Sequence, residues 1–96
     1  MNQSESEKKV IMLLRQIRND RKALAEEGAT PSLLGEYDQA AAYAEKVWNH
    51  LKNKDVKGAQ ALWTGAQTLH SIAGKHANKY RGLKRDIGRL LGGGNN

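Results

Sequence analysis

An all-α fold follows from three features of this sequence. Proline occurs once, at Pro31, while Phe is absent and β-branched residues are few. Apolar residues recur every three or four positions over most of the chain. No segment alternates with the two-residue period of a half-buried strand. The pattern predicts an antiparallel three-helix bundle with a long third helix bent at Gly74. The alternative is a compact four-helix bundle with a turn at Gly74. Residues 1–91 form one helical domain in either case, and residues 92–96, "GGGNN", form a disordered Gly/Asn tail.

The first helix opens on a capping box, Ser4-Glu5-Ser6-Glu7, in which Ser4 accepts the backbone N–H of Glu7. Val10, Leu13, Leu14, Ile17 and Leu24 share a face about 100° wide. Gly28 supplies a left-handed stop. Lys8, Arg15, Arg18 and Lys22 form a stripe beside the apolar face, and Arg21 falls within that face. The second helix takes Thr30 as N-cap and Pro31 in its first turn. Its apolar face runs from Leu33 and Leu34 through Tyr37, Ala40, Ala41, Ala44, Val47 and Trp48 to Leu51. An outer ridge carries Gln39, Tyr43, Lys46, His50 and Asn53. The helix ends in the polar turn "KNKD".

Asp55 caps the third helix. Ala59, Leu62, Ala66, Leu69, Ala73, Ala77, Tyr80, Leu83, Ile87 and Leu91 keep one phase across Gly74. That continuity favours one helix over residues 56–91, about 54 Å long beside partners of about 34 Å. The excess would project as an amphipathic limb. Gly58, Ala59, Ala61, Gly65 and Ala66 allow close helix packing, and Trp48 and Trp63 serve as core anchors on facing helices.

The formal net charge of +6 is unevenly placed. Residues 1–30 carry six bases and five acids, residues 31–54 three of each, and residues 55–96 seven bases and two acids. The stretch "KHANKYRGLKRDIGRL" alone holds six bases. Such a basic end suits an acidic partner.

Enzymatic chemistry finds no foothold, so no catalytic residue, metal ligand or cofactor is expected. His70 and His76 stand six apart, outside the spacing of helical metal ligands, and there is no Cys. No serine elbow, phosphate-binding glycine loop or known nucleic-acid motif is present. The chain shows no signal peptide and no apolar run near the roughly 20 residues of a membrane span. A cytoplasmic protein is therefore expected, with membrane binding ranked low for want of Trp or Phe on the basic segment.

The expected function is that of a nucleic-acid-associated subunit holding the phosphate backbone of RNA or DNA without sequence specificity. Its contacts would be Lys75, Lys79, Arg81, Lys84, Arg85 and Arg89, helped by Arg15, Arg18 and Lys22. The alternative is a protein-interaction module: a phage-type inhibitor, adaptor or assembly subunit. It would dock on a larger protein assembly, or on its own copy as a homo-oligomer, through Leu83, Ile87, Leu90 and Leu91 on the projecting limb.

Overall fold

Helix ends are set locally, by side chains and backbone turns that satisfy the groups a helix leaves unpaired. In the computed structural model, which describes residues 4–64 and 77–92, four helices are present: α1 (Glu5–Glu26), α2 (Pro31–Lys52), α3 (Val56–Thr64) and α4 (Ala77–Leu91). The Glu7 N–H donates to Ser4 Oγ at 3.2 Å, and the Leu33 N–H donates to Thr30 Oγ1 at 3.2 Å. The Gly58 N–H donates to Asp55 Oδ1 at 2.9 Å. All three expected N-caps are thus in place.

The C-terminal ends of α1 and α2 close in the same way. After α1, the Gly28 N–H reaches the Ala25 carbonyl and the Ala29 N–H reaches that of Leu24, with Gly28 at φ +83°. This is a Schellman turn, and it uses the residue that tolerates a left-handed backbone best. After α2, the Lys54 N–H reaches the Leu51 carbonyl and the Asp55 N–H that of His50. Here the left-handed residue is Lys54, at φ 61°. A lysine carries no sequence signal for that role.

Packing joins the helices into a ring, α1 on α2, α2 on α3, α3 on α4 and α4 on α1. Arg18 meets Glu45 and Arg21 meets Asp38, so α1 and α2 run antiparallel. Lys9 meets Asp86 and Asp20 meets Tyr80, so α4 also runs antiparallel to α1. The core takes Val10, Leu13 and Ile17 from α1, Tyr37, Ala40, Ala44 and Val47 from α2, Ala59 and Trp63 from α3, and Tyr80, Ile87 and Leu91 from α4. No strand occurs among the described residues.

The long third helix is therefore corrected to two helices lying side by side. A Cβ placed on Gly88 of α4 would stand 3.3 Å from Trp63 Nε1 of α3. On one continuous helix those residues would be about 37 Å apart. The four-helix alternative is the architecture found. Its proposed turning point, Gly74, lies outside the described residues, as do Gly65, Ala66, His70, His76 and the tail residues 93–96. The apolar phase persists from α3 to α4 because both helices present one face to the same core.

One polar group sits inside that core. Asp20 is 5% exposed. The Tyr80 hydroxyl donates to its Oδ2 at 2.5 Å, and Gln16 Nε2 lies 3.2 and 3.3 Å from its two oxygens. Tyr37 meets the Tyr80 ring edge-on, with centroids 6.5 Å apart. Burial, then the hydrogen bond to Asp20, pushes the Tyr80 pKa far above the usual tyrosine value. Burial, then the charge of Asp20, also raises that of Tyr37.

Both tyrosines are held protonated in the fold, so the stability they contribute is complete below a pH of about 10, where an unfolded tyrosine ionises. It declines as pH climbs from there toward the raised folded values. Tyr80→Phe removes one donor from a buried carboxylate and should lower unfolding free energy by roughly 1–3 kcal/mol at neutral pH. The variant should also lose stability less steeply in alkali, as measured by denaturant titration between neutral and strongly basic pH. Lys54→Gly relieves a left-handed backbone and should raise stability by about 0.5–1 kcal/mol in the same titration.

Candidate nucleic-acid interface

With its apolar side in the core, α4 turns its cations outward. Arg81, Arg85 and Arg89 are exposed and Lys84 is half-buried. Gly88 faces Trp63 on α3. Arg81, Lys84 and Arg85 lie seven, four and three residues before Gly88, which places them on the same α3-facing edge. Asp86 is on the other edge, where it takes Lys9 at 3.5 Å and Arg89 at 3.1 Å. The α3-facing edge thus carries positive charge without an acid from α4. Burial, and then the neighbouring Arg81 guanidinium, lowers the Lys84 pKa. Two cations crowded at a part-dry surface repel each other, and an incoming anion relieves that repulsion. Lys75 and the side chain of Lys79 lie outside the described residues.

The α1 cations occupy a different place. Arg15, Arg18 and Lys22 are exposed. Arg18 Nη2 meets Glu45 Oε2 at 2.9 Å, so this row lies on the α2-facing edge of α1. Arg15 and Arg18 rim a groove of about 310 Å³ floored by Ile11, Leu14 and Trp48. The Trp48 ring carries the Lys52 ammonium 4.2 Å from its centroid. One edge faces α2 and the other faces α3, across a ring in which α1 and α4 are neighbours. The cations expected from the sequence thus lie on opposed faces, α1–α2 for Arg15, Arg18 and Lys22 and α3–α4 for Arg81, Lys84 and Arg85.

The apolar partner surface needs correction too. Ile87 is fully buried, Leu91 is 3% exposed, and Leu83 is half-buried against the core. Of the four residues expected to meet a partner, Leu90 alone is exposed, at 41%. With no projecting limb, the apolar side of α4 closes the chain's own bundle. The two Trp also part: Trp48 packs toward α1, and Trp63 toward α4.

Comparison with protein-family models, curated proteins and solved structures finds no match for this chain.

Other polar groups were read incompletely from the sequence. The outer ridge of α2 borders α3: Lys46, Asn49, His50 and Asn53 line a cleft of about 310 Å³ with Leu62. His50 Nδ1 lies 2.8 Å from Asp55 Oδ2, tying α2 to the cap of α3. The Gly58 N–H, then His50, holds the Asp55 carboxyl below its usual range. The cap therefore contributes above the ordinary aspartate pKa and fades as pH falls through the lowered folded value. Gly58 serves this cap and not close helix packing, since a Cβ there would collide with the Asp55 carboxylate and the His50 ring. Ala61 is exposed, whereas Ala59 is buried as expected.

Asp20 was missed, although it lies three residues after Ile17 and four before Leu24, on the apolar stripe. Its position was the available signal. Arg21, which the wheel placed in the stripe, grips Asp38 through Nη2 at 3.3 Å, with Nε 3.0 Å from Asp38 Oδ1. Among the described residues, no group of three or more His, Asp or Glu side chains could hold a metal. Among the same residues, no helix is long and apolar enough to cross a membrane.

Gly58→Ala should lower the melting temperature by displacing the Asp55 carboxylate, despite Ala's better helix propensity. In an Asp55→Ala background the same change should be neutral or stabilising, because nothing remains to displace. Thermal unfolding of the two singles and the double gives the coupling.

Proposed function

We propose that this chain is a non-enzymatic protein that binds the phosphate backbone of nucleic acid without choosing sequence, with the outer side of α4 as its principal contact. The observation that carries this reading is the charge of that helix. Arg81, Lys84 and Arg85 share one edge, and Arg89 lies just beyond it. Ile87 and Leu91, on the apolar side expected to meet a protein partner, are buried in the chain's own core. Fixed guanidinium groups on a rigid helix suit phosphate oxygens, which accept paired hydrogen bonds from them. Nothing on this face resembles a base-reading element, so affinity would come from charge and counterion release.

Among the described residues, the large apolar side chains that stand exposed for a protein-docking role are Met12, Val56 and Leu90. They lie on three different helices, α1, α3 and α4. Scattered apolar residues of this kind are ordinary surface.

A salt titration of binding to a fluorescent DNA duplex tests the proposal. About four phosphate contacts give a log–log slope of about −3 to −4. Arg85→Ala should weaken binding equally for unrelated sequences and make the slope shallower by about 1. Arg85 is exposed and has no ion partner among the described residues, so the fold should be unaffected. Undetectable binding to duplex DNA and RNA at low salt would sink the reading.

A further inference from the structure

Two sets of cations among the described residues lie on opposed faces of the bundle. Arg15, Arg18 and Lys22 mark the α1–α2 face, and Arg81, Lys84 and Arg85 mark the α3–α4 face. Along the α1–α4 seam between them, Asp86 draws both Lys9 and Arg89 into ion pairs. That one carboxylate offsets part of the positive charge on the seam. The bundle measures 41 × 27 × 18 Å. Even its thinnest dimension is about twice the Debye length of about 8 Å at physiological ionic strength. The two faces consequently act as separate attractors rather than one field, and anions bound to each repel one another little.

From this separation we infer that the chain bridges two nucleic-acid duplexes, holding one phosphodiester backbone on each face. The inference rests on the phosphate-binding reading above and adds a second site and an activity, the joining of two segments. Duplexes fit better than single strands, because single-strand binding leans on bare aromatic platforms. The large apolar side chains exposed among the described residues are Met12, Val56 and Leu90, none aromatic. Trp48 and Tyr43 are half-buried and have Lys52 and Lys46 over their rings, at 4.2 and 5.8 Å. Regular helical faces meet the regular phosphate rows of a duplex without needing bases turned out.

The test uses the whole chain with two DNA duplexes of unrelated sequence, one immobilised and one fluorescent. Retention of the fluorescent duplex reports bridging, and anisotropy on one duplex reports simple binding. A parallel arm with RNA duplexes tells which backbone is preferred. Wild type should retain the second duplex. Arg15→Glu with Lys22→Glu, and separately Arg85→Glu with Arg89→Gln, should cut retention by about tenfold or more while anisotropy still detects binding through the intact face. Circular dichroism should show both variants folded. Mixing the two variants should not restore retention. Binding by wild type without retention would overturn the bridging inference and leave the phosphate-binding reading standing. Retention that survives in either variant would overturn it as well, since association between copies would then join the duplexes. Absence of binding in anisotropy would overturn both.

Discussion

The hydroxyl of Tyr80 donates to the carboxylate of Asp20 across 2.5 Å inside the core, and the orientation of α4 depends on that bond. A charged or polar group buried without partners costs several times what a made hydrogen bond returns. The pair therefore acts as a register pin: rotating α4 would take the Tyr80 hydroxyl away from a carboxylate that is 5% exposed. Once Tyr80 is fixed inward, Ile87 and Leu91 follow at one-turn multiples and complete the apolar side. Arg81, Lys84, Arg85 and Arg89 are carried to the outside by the same rotation. A buried polar contact thus decides where the surface charge of the basic helix appears.

The same constraint explains why the charge is divided. Asp20 and Lys9 face α4 from one edge of α1, so the edge that bears Arg15, Arg18 and Lys22 must face α2. On α4, Asp86 occupies the α1 edge and leaves the α3 edge to cations. Two helices rich in positive charge can be neighbours in this bundle because their seam carries acids. Their excess points away from each other, which lowers the repulsion that clustering would bring and creates two attractive faces.

Much of the local structure could be read directly. Ser4, Thr30 and Asp55 cap helices because their side chains reach backbone N–H groups two or three residues away, and Gly28 ends α1 because it tolerates a left-handed backbone. The apolar faces of α1 and α2 also match their buried residues, Val10, Leu13, Leu14, Ile17, Leu24 and the run from Tyr37 to Leu51. Lys54 escaped notice because its left-handed turn is imposed by the α2–α3 connection, against its own preference. Asp20 escaped because charge in an apolar stripe has meaning only once a donor stands opposite, and Tyr80 lies sixty residues away.

The amino-acid order by itself determined that the chain is helical, where α1, α2 and α3 begin, and that positive charge gathers toward the C-terminal end. Tertiary packing alone decided that α3 and α4 lie side by side, that Ile87 and Leu91 belong to the core, and that the basic residues form two faces. Periodicity records which side of a helix is apolar but not which neighbour covers it. A straight helix and a folded pair with one shared core leave the same pattern, and only the approach of Gly88 to Trp63 tells them apart.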